Sequence, residues 1–160
     1  MPLKVITYPD PILKKKSQAV LIEDIKGNEI QELIPKMVKT MLKKDGLGLA
    51  APQIGLSIRI IVIHTKDGDQ VLINPKIVSR SIKKEVSEEG CLSLPGQYGL
   101  VKRYKKIKVS AYDAEAKKIK LKAKGLLARV IQHEIDHLDG ILFIDKIVKK
   151  RRKFPSDLNL

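Results

Sequence analysis

Residues 132–140 read QHEIDHLDG. His133 and His137 stand four positions apart, with Glu134 directly after the first. On a helix that spacing puts both imidazoles on one face, one turn apart. H-E-x-x-H is the arrangement in which two histidines hold a metal and the glutamate acts as general base in hydrolysis. Two histidines make half a site, so a third ligand must come from elsewhere. One hydrolase class continues the motif with a glycine and a third histidine; here Gly140 is present, but Phe143 stands at the histidine position. A second class uses a glutamate well downstream, and Glu134 is the last glutamate in the chain. His64 and Cys91 remain, with Asp139 and Asp145 weaker because they crowd the motif. His64 ends an apolar run beside a polar turn, a setting that suggests exposure. Cys91 sits in SEEGCLSLPG, residues 87–96, where two glycines and a proline suit a ligand held on a bend.

The helix that carries the motif is expected from about Leu126 to Asp139, ended by Gly140. Leu126, Val130, His133 and His137 form one line along it; Leu127, Ile131, Glu134 and Leu138 form the next. Both lines are otherwise apolar, so this is the expected buried side, with Asp136 opposite and solvated. Buried imidazoles and a buried carboxylate are costly unless paired, and a metal supplies the partner. Ordinary core histidines are the plainer account of a single His; the full motif on a buried face favours a metal. An apolar setting should raise the pKa of Glu134, which suits a proton shuttle.

The other elements must bring a third ligand to this helix. Asn28 and Gln31 fit an N-cap and its third-position partner. Ile30, Leu33, Ile34, Met37, Val38, Met41 and Leu42 then recur at steps of three and four, predicting a long amphipathic helix that ends at Asp45-Gly46. Pro35 predicts a kink or a helix start just before it. GLGLAAPQIG, 46–55, has little helical or strand character and reads as a special loop. Strands are expected at 58–64, 71–75, 76–80 and 83–88, with 105–113 and 117–125 paired as a hairpin. Strands between two helices predict an α+β fold: mainly antiparallel sheets packed around a C-terminal metal-binding helix, with the long amphipathic helix toward the N-terminus.

A chain of 160 residues with 43% hydrophobic residues reads as a single catalytic domain over 1–160. No apolar run approaches a membrane span, and MPLKVITYPDPILKKK lacks the layout of a signal peptide, so a soluble intracellular protein is expected. The lone cysteine excludes an internal disulfide. A formal charge of +14 suggests a polyanionic neighbour or merely a soluble lysine-rich surface. The densest run, KIVKKRRKF, opens a short basic tail at 146–160. No RNA-binding motif accompanies it, and with aromatics at 4% base stacking is poorly provided for, so no sequence-specific nucleic-acid binding is expected.

GLGLAAPQIG, EGCLSLP and QHEIDHLDG together resemble the three signature motifs of the peptide deformylases, in that family's order. The similarity extends to YPDP at 8–11, LINP at 72–75 and GLL at 125–127. The resemblance implies Cys91, His133 and His137 as metal ligands, Fe(II) as the natural metal, and Zn, Ni or Co as substitutes. Thiolate-plus-imidazole chemistry alone would suggest zinc. It further implies Glu134 as general base, with the backbone N–H of Leu92 and the side-chain amide of Gln53 as oxyanion donors. The substrate would be an N-formylmethionyl peptide and the product formate. Substrate contacts are implied at Gly46, Leu47, Gly48, Glu89 and Gly90, with Leu126 and Val130 walling the methionine pocket.

Gln132 and Asp136 match the family motif and are open to a structural role; Arg103 is a candidate to orient Glu89 or a ligand. Tyr98 departs from the family, standing where many bacterial members carry a basic residue. The sequence also ends with KKRRKFPSDLNL, where many members continue as a long helix. The resemblance implies a cytoplasmic enzyme of bacterial type, an organellar or phage source being equally compatible, with transient contact to the ribosome near the nascent-chain exit. Two competing readings are an ordinary metallopeptidase and a basic RNA- or ribosome-binding protein with a degenerate site.

Overall fold

In the computed structural model, which describes residues 2–148, α1 (Asn28–Lys43) leads into a short strand, β1 (Gly48–Ala50), and a 3-10 turn at Ala51–Ile54. The remaining strands are β2 (Ile60–Thr65), β3 (Gly68–Arg80), β4 (Lys84–Cys91), β5 (Leu94–Tyr104), β6 (Lys106–Tyr112) and β7 (Lys118–Lys124). Helix α2 (Gly125–Leu138) and a 3-10 turn at Phe143–Lys146 follow. Strands β1-β2-β3-β6-β7 form one sheet, antiparallel throughout, and β4-β5 form a separate antiparallel hairpin.

The side-chain alternation of β2 explains how two helices share one sheet. Ile61 and Ile63 join the cluster that packs on Ile131, Ile135 and Leu138 of α2. Ile60 and Val62 point the other way, onto Met37 and Met41 of α1. All four are fully buried, so β2 is apolar on both faces, as a strand sandwiched between helices must be. Each such side chain contributes about 1.5–3 kcal/mol on burial. The β4-β5 hairpin closes a third cluster, where Leu94 and Val101 meet Leu13, Leu142 and Phe143.

Several local expectations are corrected. Asn28 is the first helical residue of α1, and Gly27 takes the cap position without a side-chain bond. Gln31 instead donates to the carbonyls of Ile25 (2.7 Å) and Ala114 (2.8 Å). The helix runs unbroken through Pro35. Its ring removes one backbone bond, and burial of Ile30, Met37 and Met41 holds the helix together across it. The 71–75 and 76–80 strands are a single strand, β3, with register shifts between Ile73 and Lys76 and between Ile77 and Ser79. Residues 48–50, expected as loop, pair with β2 at Gly48↔Ile63, Leu49↔Val62 and Ala50↔Ile61. The backbone edge of β2 overrides the weak strand propensity of that segment. No described helix is long and apolar enough to cross a membrane. Of the expected basic tail at 146–160, Lys146 ends the last 3-10 turn and Ile147 bridges Val101; residues 149–160 lie outside the described residues.

Candidate active site

Helix α2 presents His133, Glu134 and His137 to the junction between β1 and the turn that links β4 to β5. Cys91 is the last residue of β4, at a register shift between Gly90 and Cys91. The irregularity turns the chain so that the thiol faces α2: Cys91 Sγ lies 3.2 Å from Nε2 of His137. Nitrogen and sulfur atoms of Cys91, His133 and His137 all fall within 4.8 Å of one another. The other candidates for a third ligand are engaged elsewhere. His64 is exposed and pairs with Asp69 at 2.6 Å, Asp139 pairs with Arg59 at 2.9 Å, and Asp145 pairs with Lys14 at 2.6 Å.

A second layer fixes the ring of His133. Its Nδ1 lies 2.8 Å from Oε1 of Glu89, which leaves Nε2 for the centre of the site. Glu89 also accepts from Arg103 Nε and Nη2, both at 2.9 Å, and from Arg129 Nη1 at 2.6 Å. Burial alone would raise the Glu89 pKa. Hydrogen bonds from Arg103 and His133, with the Arg103 charge, outweigh burial and hold it well below the ordinary value of 4.5. Arg103, only 3% exposed, also reaches Asp136. Asp136 is therefore buried and ion-paired, with Lys146 at 3.0 Å as a further partner, and not solvated as helical spacing predicted. The β4-β5 hairpin folds an arginine over that side of α2, which spacing on one helix cannot reveal. Gln132 ties the same helix to β5, donating to the Tyr104 carbonyl at 2.9 Å and accepting from the Tyr104 N–H at 3.0 Å.

Glu134 is buried at the base of the cleft. Burial is the main cause that raises its pKa; the His133 charge opposes it, and the balance stands at about 7. His137 is shifted well below the usual histidine range by burial first, then by the charges of His133 and Arg103. Burial opposes the charged form of His133 too. Hydrogen bonds to Cys91 and Glu89 and the charges of Glu134 and Cys91 outweigh it and push the group up to about 10. An imidazole binds a metal only in its neutral form, so a cation here would take the place of that proton.

The donor set tests whether a metal fits. Glu134 Oε2 has no hydrogen-bond partner among the described residues, a costly state for a buried carboxylate. A soft thiolate and two imidazoles converge beside it, with Nε2 of His137 turned to Cys91, a donor set suited to a borderline transition metal with a position left open for water. The residues fit a metal.

The cluster floors a cleft of about 690 Å³. The cleft gathers Gly46, Leu47, Gly48, Gln53, Glu89, Gly90, Leu92, Leu126 and Val130 around Cys91, His133 and Glu134. Gln53, buried in the 3-10 turn, accepts from Ala50 N (2.9 Å) and donates to Ser93 Oγ (3.2 Å), with Nε2 3.6 Å from Cys91 Sγ. A Cβ on Gly48 would sit 2.8 Å from Cγ and Oε1 of Glu134, so only glycine lets β1 run so close to that carboxylate. A Cβ on Gly90 would meet the ring of its cross-strand partner Tyr98 at 2.7 Å.

Two expectations change. Leu126 is 64% exposed, because it lies in the first turn of α2 where the cleft opens to solvent; it lines the rim, not a core. The Glu89 carboxylate, grouped by resemblance with substrate contacts, is taken up by His133, Arg103 and Arg129. Arg129 was not singled out from sequence. It is buried and joins Glu89 to the carbonyls of Val101 on β5 (2.9 Å) and Glu85 on β4 (2.8 Å). Its position one turn before His133 was the available signal.

The family model for polypeptide deformylase matches residues 2–153. The chain belongs to the polypeptide deformylase family. It is 48% identical over 156 residues to the peptide deformylase of Thermodesulfovibrio yellowstonii, covering 94% of this chain and 92% of that relative. The crystal structure of peptide deformylase from Thermotoga maritima superposes with a TM-score of 0.89 at 37% identity, covering 92% of this chain and 99% of that one. A Met-Ala-Ser-bound class I type b peptide deformylase from Acinetobacter baumannii gives 0.88 at 34% identity, covering 92% and 99%. Deformylases are metal-dependent hydrolases that remove the N-formyl group from nascent peptides, and the chain is such an enzyme.

Proposed function

We propose that Cys91, His133 and His137 hold the catalytic metal of this deformylase, natively Fe(II), with Zn, Ni or Co as substitutes, and that Glu134 is its general base and acid. The convergence of three ligand atoms within 4.8 Å beside a buried carboxylate with a raised pKa carries this reading. When bound, the metal supplies a Lewis acid that lowers the pKa of water. Glu134 takes a proton from the attacking water and later delivers it to the leaving amine nitrogen. Water oxygen adds to the formyl carbon, the C–N bond breaks, and formate and a free N-terminus result.

Gln53 Nε2, held beside Cys91 by the turn, and the Leu92 N–H serve as donors to the oxygen that gains charge. Leu126 and Val130 wall the methionine side chain, with Leu47 opposite. Gly46, Gly48 and Gly90 leave backbone edges free for an extended peptide. The ligand named for the Acinetobacter structure, Met-Ala-Ser, has the sequence such a reaction releases from formyl-Met-Ala-Ser. The whole chain, 1–160, acts as one catalytic domain in the cytoplasm, with transient contact to the ribosome.

The test is formate release from formyl-Met-Ala-Ser by anaerobic, Fe(II)-loaded protein beside its Glu134→Ala variant. Formate from the first and almost none from the second is expected. Full activity in Glu134→Ala would remove the base assignment; one tightly held metal per chain in Cys91→Ala would remove the ligand assignment.

A further inference from the structure

The face of the large sheet that packs on α1 is only half covered. Ile60, Val62 and Ile73 lie under the helix, and Tyr112 marks the margin of that cluster. Beyond Tyr112, the same face of β6 and β7 is bare. Its exposed positions are all lysines: Lys106 and Lys108 on β6, and Lys118, Lys120, Lys122 and Lys124 on β7. The register sets like charges directly opposite, Lys106↔Lys124 and Lys108↔Lys122, an arrangement that destabilises a sheet. Neither strand contains an acidic residue. Salt bridges nearby fall to Lys105 and Lys117, off this face, which pair with Glu85 and Glu115. Between the strands and the end of β3 lies a concavity of about 450 Å³. Arg80, Ser79 and Ser81 line it with four of these lysines and with Ile107 and Ala123 of the core side.

Lysines on β7 alone would be the ordinary guard of an edge strand. Strand β6 is internal, paired with β3 on one side and β7 on the other, so Lys106 and Lys108 guard no edge. We propose that this lysine face is a docking surface for the phosphate backbone of double-stranded RNA. Successive lysines along β7 stand about 6.8 Å apart, a row of point charges that neutralises phosphates without reading bases. Protein interfaces are depleted in lysine, and the exposed positions of β6 and β7 carry no apolar side chain that could enter a bilayer. The choice of RNA over DNA rests on the deformylase activity, whose substrates are nascent chains. Helix α2 lies on the opposite face of the sheet, so a docked RNA leaves the active-site cleft open.

The test is fluorescence anisotropy of a labelled RNA hairpin titrated with the full-length protein over a range of KCl. A Lys108→Gln/Lys120→Gln/Lys122→Gln variant is compared with Lys36→Gln/Lys39→Gln/Lys43→Gln on α1, which removes the same charge from exposed positions elsewhere. The sheet variant should bind at least about tenfold more weakly, and its slope of log affinity against log salt should fall by about 3. The α1 variant should stay near wild type, and the RNA should bind at least as tightly as a DNA duplex of equal length. Equal losses in both variants, no measurable RNA binding by wild type, or tighter binding to the DNA or to phosphatidylserine vesicles would overturn the proposal. Formate release by the same samples reports separately on the deformylase reading, and both variants should keep it.

Discussion

Oε1 of Glu89 lies 2.8 Å from Nδ1 of His133, and this contact decides which nitrogen of the ring faces Cys91. A carboxylate at Nδ1 orients the imidazole and raises its basicity as a ligand. Glu89→Gln should therefore weaken metal binding about 10–100-fold. Competition against a chelator, read by the metal retained per chain, checks it; unchanged retention would mean that helix packing alone holds the ring.

Glu89 also links stability to acid. Its folded pKa lies below the ordinary value of 4.5. For a depressed group the folded form binds the proton less readily than the unfolded chain. The stabilisation is full above the unfolded value and is lost as pH falls below it toward the folded value. Thermal unfolding of the wild type should become steeply pH-dependent below about 4.5. Glu89→Gln should flatten that dependence while lowering Tm at neutral pH, since Arg103 and Arg129 lose a buried counter-charge.

Arg129→Met breaks the buried ties from Glu89 to Val101 and Glu85. Removing one partner of a buried pair costs about 3–5 kcal/mol. Arg103 still faces Glu89, so the lower end is expected. Denaturant unfolding of the metal-loaded protein measures it, and a change under about 1 kcal/mol would show that the network is redundant.

Gly48→Ala places a methyl 2.8 Å from the Glu134 carboxylate. The carboxylate must shift, and a misplacement of about 1 Å can cost about 100-fold in rate. Formate release should drop on that scale through kcat, with one metal still bound per chain. Loss of the metal instead would indicate that β1 supports the ligands as well as the base.

Sequence patterning made the site legible where one element carried it. The i, i+4 pair and the apolar lines of α2 located His133, Glu134 and His137 because helical geometry is local. Residue setting alone leaves His64 and two weaker aspartates as alternatives to Cys91, since the approach of β4 to α2 depends on a register shift that patterning does not encode. The solvated setting expected of Asp136 is overturned, and Arg129 escapes notice, for the same reason. Their partners sit on the β4-β5 hairpin, and helix spacing says nothing of what another element folds against a face. β1 was missed because its three residues are held by the edge of β2 and have no strand pattern of their own.

Leu126 separates binding from stability. It is 64% exposed on the rim of the cleft, so truncation forms no core cavity. Leu126→Ala should change folding stability by no more than about 0.5 kcal/mol. If its side chain covers the substrate methionine, the variant loses apolar contact made equally in ground state and transition state, which raises KM and leaves kcat near wild type. Burial of a side chain of this size is worth about 1.5–3 kcal/mol when complete, and a rim contact is partial, so a several-fold rise in KM is expected. Steady-state formate release from formyl-Met-Ala-Ser over a range of concentrations reads both constants. A fall in kcat with KM unchanged would place Leu126 in the support of Glu134 and not in the methionine pocket.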